Sequence, residues 1–117
     1  TVGAVTEKRE RSGFSSIGPT ADGRIKPDVA AMGTNCYVIE PGGFIRQANG
    51  TSFATPILAG LGACLWQAFP HLNTAEIRAL IKQYASQAKQ PDNQLGYGIP
   101  NIYKSYKSGL KNGSKRR

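Results

Sequence analysis

The feature that most constrains the fold is a run of nineteen residues, Thr51–Phe69, without a single charged side chain. About 18 uncharged apolar residues can span a membrane. This run makes a poor span, because it contains Pro56, Gln67 and several hydroxyl side chains, and no positive flank marks an orientation. Its many alanines and glycines suit close packing inside a protein. A helix that is apolar all round is predicted to be buried and central.

Length and composition exclude several classes of protein. The chain has 117 residues, which corresponds to one domain or a piece of one. With 39% apolar and 19% charged residues, it is neither disordered, nor collagen-like, nor a disulfide scaffold. Two cysteines and one histidine are too few for a structural zinc site. The chain begins at Thr1 without a targeting signal, so we expect a processed piece whose compartment the sequence does not reveal.

The net charge of +8 is concentrated at one end. Residues 104–117 hold six basic and no acidic side chains, whereas residues 1–103 hold nine basic and seven acidic ones. Such a tail could be an arm that binds nucleic acid, an acidic protein or a lipid surface. No aromatic residue follows Tyr106 to stack on bases, so nucleic acid is not an expected partner. We favour a solvated, flexible tail over 104–117, following a domain over 1–103.

Apolar runs and turn residues predict four strands. Thr1–Val5 is expected to be a short buried strand. A small-residue strand is expected inside Lys26–Gly33, stopped by the glycine. Cys36–Glu40 and Gly43–Ala48 are predicted to flank a turn at Pro41-Gly42-Gly43.

Two more helices follow the uncharged run. Asn73 and Glu76 have the spacing of a capping box, in which each side chain accepts from the other residue's backbone N–H. Apolar residues then recur at helical spacing, which predicts an amphipathic, half-exposed helix; they are Ile77, Leu80, Ile81 and Tyr84. A final short helix is expected near residues 102–106.

Candidate chemistry lies at the start of the uncharged helix, in Asn49-Gly50-Thr51-Ser52. A hydroxyl there lies at the positive end of the helix dipole, among N–H groups without helical partners, and such donors can stabilise an oxyanion. Gly50 would let a substrate backbone approach closely. Pro56 lacks the N–H that would bond to the Ser52 carbonyl, so the first turn is held in a special shape. The alternative is that Ser52 or Thr51 merely caps the helix. From this tetrapeptide alone, capping is the favoured interpretation, and the motif becomes specific only with what surrounds it.

Gly50-Thr-Ser-Phe-Ala-Thr-Pro56 resembles the nucleophile motif of subtilisin-like serine proteases, usually Gly-Thr-Ser-Met-Ala-Ser/Thr-Pro. Five other segments resemble the same family in the family's order, so that the likeness covers about residues 1–103. They are Thr1–Val5, Phe14-Ser-Ser-Ile-Gly-Pro19, Lys26-Pro-Asp-Val-Ala-Ala-Met-Gly33, Pro70–Ala85 and Gly96-Tyr-Gly-Ile-Pro-Asn101. Phe53 and Met32 replace the usual Met and Pro, and Ile57 stands where His is frequent.

The resemblance implies the C-terminal portion of a three-layer α/β catalytic domain, with a mostly parallel sheet and helices on both faces. It implies a parent serine endopeptidase that cleaves polypeptides through an acyl-enzyme on Ser52. The family's Asp, His and oxyanion-hole Asn precede anything that matches Thr1, so we expect this piece to need the missing N-terminal half and to be inactive alone.

The resemblance also bears on cofactors, localisation and assembly. It implies no organic cofactor; calcium is common in the family, but no calcium loop is evident here, and no metal ligands are predicted. The parent is expected to be secreted or extracytoplasmic. An isolated piece of a parallel sheet is expected to self-associate through its open edge. Two alternatives remain: a non-catalytic relative that binds peptides or is structural, and a basic module that binds anions through its tail.

The other reactive side chains are expected to be structural. His71 lies beyond a helix of about 18 residues, or roughly 27 Å, from Ser52, and is predicted to be a surface residue. Asp28 is predicted to be a hydrogen-bonded structural carboxylate, with a cation ligand as the alternative. Cys64 is predicted to be a buried small hydrophobe and Cys36 a free thiol, with a disulfide between them less favoured.

Overall fold

A computed structural model describes residues 1–114, and side chains as far as Lys111. Four strands precede three helices along the chain: β1 Val2–Val5, β2 Val29–Met32, β3 Cys36–Ile39, β4 Ile45–Ala48, α1 Thr51–Ala68, α2 Thr74–Gln83 and α3 Ile102–Ser114. The α/β class predicted from the sequence is confirmed. In the part of the chain that the structure describes, no helix is long and apolar enough to cross a membrane.

The strands β1 and β2 form a parallel pair, in register from Val2 opposite Val29 to Val5 opposite Met32. Small residues allow helix α1 to approach this pair closely, because Ala4 and Ala31 pack against Ala54 of the helix. The first turn of α1 is thereby held directly over the parallel strands.

The strands β3 and β4 form an antiparallel hairpin, as the Pro-Gly-Gly turn predicts. Cys36 faces the body of the protein and is buried, whereas Tyr37, Ile39 and Ile45 are exposed. The hairpin ends at Ala48 and leads directly into α1.

The prediction that α1 is buried on all sides is wrong for the described chain. Only Ala54 and Leu65 are buried in this helix, and apolar side chains such as Leu61 and Trp66 are exposed. The physical reason is that residues 1–114 supply neighbours for one side of the helix only. Cys64 is exposed for the same reason, which corrects its predicted burial, and both cysteines are free.

The main core lies where α1 ends. Leu65 and Phe69 pack there with the buried face of α2, formed by Ile77, Leu80 and Ile81. The predicted capping box is present: Asn73 Oδ1 accepts from the Glu76 N–H at 3.0 Å, and a Glu76 carboxylate oxygen accepts from the Asn73 N–H at 2.8 Å. This reciprocal pair fixes the start of α2.

Helix α3 is longer than the sequence predicts, because it continues past Tyr106 to Ser114. Tertiary contacts hold it in place: the buried Ser105 hydroxyl donates to the Leu80 carbonyl at 3.1 Å, and the Tyr84 hydroxyl donates to Ser108 at 2.7 Å. Much of the basic segment is therefore helical. The predicted flexibility of residues 115–117 lies outside the described residues, and the domain limit at residue 103 stays a prediction.

Candidate active site

Ser52 lies in the first turn of α1 with its side chain exposed. The N-cap residue is Gly50, and no side chain in the described chain caps this helix. The interpretation of Thr51 or Ser52 as a helix cap is therefore contradicted, since neither hydroxyl accepts a bond from the N-terminal N–H groups. A Cβ atom at position 50 would lie 2.9 Å from Ser52 Oγ, so glycine leaves space around this hydroxyl.

The surroundings of Ser52 are electropositive. Its backbone N–H finds no hydrogen-bond partner among residues 1–114, as is usual for the first N–H groups of a helix. The first turn also carries no acidic side chain that would offset the helix dipole. The Thr55 hydroxyl donates to the Thr51 carbonyl at 2.9 Å, which stiffens this turn beside Pro56. An oxygen anion formed next to Ser52 would meet free backbone donors.

Two backbone contacts hold the turn before Ser52. The Gly50 N–H donates to the Gly33 carbonyl at 2.8 Å, and the Gly33 N–H donates to the Val5 carbonyl at 3.0 Å. The Asn49 side chain accepts from the Asn35 N–H at 2.7 Å and so closes the base of the hairpin. The chain before Ser52 is therefore pinned to the ends of both parallel strands and to the start of β3.

The sequence motifs do not predict this pinning. In them Gly33 stops a strand and ends the segment Lys26–Gly33, and Asn35 belongs to no motif. Asparagine, which tolerates left-handed backbone and bonds to nearby amides, was the available signal: Asn35 has φ 55°, and Asn49 supplies the acceptor. Which two asparagines meet could be known only once the hairpin register was known.

A cleft of about 490 Å³ adjoins the first turn of α1. Thr51 and Thr55 form part of its wall, with Ser16, Ile17 and Pro27 contributing other parts, but Ser52 does not line it. The described residues therefore present the Ser52 hydroxyl on an open surface rather than inside this cleft.

The structure keeps the histidine away from Ser52. His71 follows the far end of α1, is exposed, and packs edge-on to Phe69 with ring centroids 6.3 Å apart. An 18-residue helix is about 27 Å long, so this imidazole cannot take a proton from Ser52 in the same chain. The predicted placement of His71 on the surface before the Asn73 cap agrees with the structure.

Asp28 is a buried structural carboxylate. Its oxygens lie 2.7 Å from Lys26 Nζ and 2.6 Å from Lys82 Nζ. Burial raises the pKa of Asp28, but the hydrogen bonds from Lys26 and Lys82 outweigh it and hold the pKa well below its usual value. Ammonium groups thus occupy the positions around the carboxylate where a cation would bind. Within residues 1–114 no three His, Cys, Asp or Glu side chains are grouped to hold a metal.

Comparison with known proteins identifies the family to which the chain belongs. A model of the subtilase family matches residues 1–98, and the chain belongs to that family. It is 34% identical to the serine protease AprX of Bacillus subtilis over 88% of this chain and 26% of that protein. It is 35% identical to subtilisin NAT of Bacillus subtilis subsp. natto over 83% of this chain and 23% of that protein. The chain thus spans about a quarter of the length of these relatives.

Solved structures show the same fold and confirm the subtilisin-like fold predicted from the sequence. MycP1 from Mycobacterium smegmatis superimposes with a TM-score of 0.73 at 27% identity, over 90% of this chain and 28% of that one. The CspB protease of Clostridium perfringens superimposes with a TM-score of 0.84 over 95% of this chain and 26% of that one. At 24% identity, the likeness to CspB shows the fold alone.

Proposed function

We propose that these residues are the nucleophile-bearing part of a serine endopeptidase, with Ser52 as the nucleophile. One observation carries the proposal: the exposed Ser52 hydroxyl lies in the first turn of α1 but does not cap the helix. A serine that only stabilised the helix would bond to a backbone N–H of that turn. Membership of the subtilase family supports the same role.

The chemistry needs groups beyond those of the described chain. Ser52 Oγ attacks the peptide carbonyl carbon as an imidazole takes the hydroxyl proton, and the Ser52 N–H donates to the resulting oxyanion. The C–N bond then breaks, the amine leaves with that proton, and water hydrolyses the acyl-enzyme. His71 cannot serve as this base, so a histidine outside these residues must supply it. We therefore propose that the 117 residues alone do not hydrolyse peptides.

The exposed side of α1 indicates where the rest of the domain would pack. Ile57, Leu61 and Trp66 are exposed on this helix. We propose that the part of the domain preceding residue 1 in the family's order covers them. Without it, the 117-residue chain should self-associate, because exposed apolar surface drives association. Light scattering across a concentration series should show a rising mass; a constant monomer mass would contradict this proposal.

The test of Ser52 uses the full-length protein and Ser52→Ala. Turnover of a peptide substrate should fall on the order of 10⁶-fold, since the triad acts as a unit. The melting temperature should stay close to that of the wild type, because the Ser52 hydroxyl makes no cap bond. A fluorophosphonate should label the wild type at Ser52, as located by mass spectrometry, and should not label the 117-residue chain.

Ser86→Ala is the matched control, because it removes another exposed serine hydroxyl, one that accepts a bond from the Ile99 N–H instead. This variant should keep turnover and labelling. A full-length wild type that is folded but neither cleaves nor labels would show a non-catalytic relative.

A further inference from the structure

We propose that Gly33 and Asn49 are positioning residues that set where the Ser52 hydroxyl points; this inference rests on the proposed role of Ser52 as nucleophile. Neither residue is expected to touch the reacting atoms. Both act on the turn of two residues, Asn49 and Gly50, that immediately precedes α1.

Gly33 acts through its carbonyl and through its lack of a side chain. It is buried, and its carbonyl accepts the Gly50 N–H at 2.8 Å. A Cβ atom at position 33 would lie 2.7 Å from the Ala4 Cβ and 2.8 Å from the Gly50 carbonyl oxygen. Even one methyl group would therefore push Gly50 away from the strands. Because Gly50 is only two residues from Ser52, the displacement would reach the nucleophile.

The Gly33 segment is itself held to the sheet. The Gly33 N–H donates to the Val5 carbonyl at 3.0 Å, and the neighbouring Thr34 hydroxyl shares a 2.6 Å hydrogen bond with the buried Ser12 hydroxyl. Ser12 in turn donates its N–H to the Ala4 carbonyl at 2.9 Å. Gly50 is thus bonded to a segment that is itself hydrogen-bonded to β1, and not to a free loop.

Asn49 fixes the other side of the turn. Its side-chain oxygen accepts the Asn35 N–H at 2.7 Å, one step beyond the last hairpin pair, Cys36 opposite Ala48. The turn is thus tied to Gly33 on one side and to the hairpin on the other. Ala54, fully buried on the sheet, fixes the helix just after Ser52. With the chain held before and after it, Ser52 has little freedom to move.

The experiment measures kcat, KM, melting temperature and the rate of fluorophosphonate labelling in the full-length protein. Gly33→Ala should lower kcat and the labelling rate about 100-fold with KM nearly unchanged, since a displacement near 1 Å at a reacting group can cost this much. Asn49→Ala, which loses one exposed hydrogen bond, should show a smaller loss in the same direction. Asn49→Asp keeps an acceptor oxygen in place and should recover most of the turnover.

Two controls separate positioning from general destabilisation. Asn73→Ala removes the same kind of bond, asparagine oxygen to backbone N–H, at the cap of α2. It should lower the melting temperature but leave kcat unchanged. Gly13→Ala adds a methyl where no atom lies within 4 Å and should change neither quantity.

The outcomes are distinct. Should Gly33→Ala fail to fold, the Asn49 variants decide. Folded Gly33→Ala and Asn49→Ala variants that are labelled at the wild-type rate would overturn the positioning role. The same holds if Asn73→Ala loses as much turnover as Asn49→Ala. A wild type that is not labelled at Ser52 would instead overturn the proposed function.

Discussion

The two halves of α1 differ in how this chain covers them. The last turn contributes Leu65 to a core shared with α2 and is followed by Phe69, also buried. The first half touches the strands through Ala54 and leaves Ile57 exposed, and Leu61, just past the middle of the helix, is exposed as well. One continuous helix thus connects a packed structural core to an open surface that bears Ser52. The core that stabilises the chain and the candidate nucleophile therefore lie at opposite ends of the same helix.

A matched pair of leucines one turn apart in α1 tests this difference in packing. Leu65 is 2% exposed and Leu61 is 41% exposed. In the 117-residue chain, Leu65→Ala should lower the free energy of unfolding by about 3 kcal/mol. Leu61→Ala should lower it by less than about 1 kcal/mol. Urea denaturation of both variants measures the difference.

Equal losses for the two leucines would show that the last turn of α1 is no better packed than the turn before it. In the full-length protein, the cost of Leu61→Ala should rise toward that of Leu65→Ala if the preceding part of the domain covers this side. Such a rise would show that the preceding part of the domain packs against this side of α1.

A second test concerns Asp28, whose lysine partners Lys26 and Lys82 tie the start of β2 to α2. Removing one partner of a buried ion pair leaves the other charge uncompensated. Asp28→Asn should therefore lower the free energy of unfolding by about 2 to 3 kcal/mol. The control Asp22→Asn breaks the exposed pair with Arg24 and should cost less than about 1 kcal/mol.

The pH dependence of stability follows from the same carboxylate. Because the pKa of Asp28 is lower in the folded chain than in the unfolded one, its contribution is fully present above the unfolded value of about 3.9. The contribution is lost as the pH falls below about 4 toward the folded pKa. Asp28→Asn should flatten this part of the stability profile. An unchanged acid profile in the variant would contradict the assignment.

The smallest expected effect concerns the two thiols. Cys64, on the open side of α1, should react with a maleimide in the folded 117-residue chain, whereas buried Cys36 should react only after denaturation. Labelling Cys64 should change the free energy of unfolding by no more than about 0.5 kcal/mol, as is usual for surface changes. Mass spectrometry of the labelled peptides checks the order of reaction. Protection of Cys64 in the full-length protein would show that this side is covered there.

Features that depend on neighbouring residues could be predicted from the sequence alone. The Asn73 and Glu76 pair predicts the start of α2, and the turn Pro41-Gly42-Gly43 predicts the hairpin, because capping and turn preferences operate over a few residues. The motif around Ser52 was equally local. It identified the family, which the match over residues 1–98 confirms.

Contacts between residues far apart in the chain could be read only from the tertiary structure. Whether Ser52 caps its helix, which groups neutralise Asp28, and what lies against Gly33 are set by contacts between separate segments. The same holds for α1: its apolar composition indicates that it needs neighbours on every side, but not which chain segments provide them. Burial is a property of the packed molecule, so the sequence could predict a buried helix while the described residues cover only one side of it.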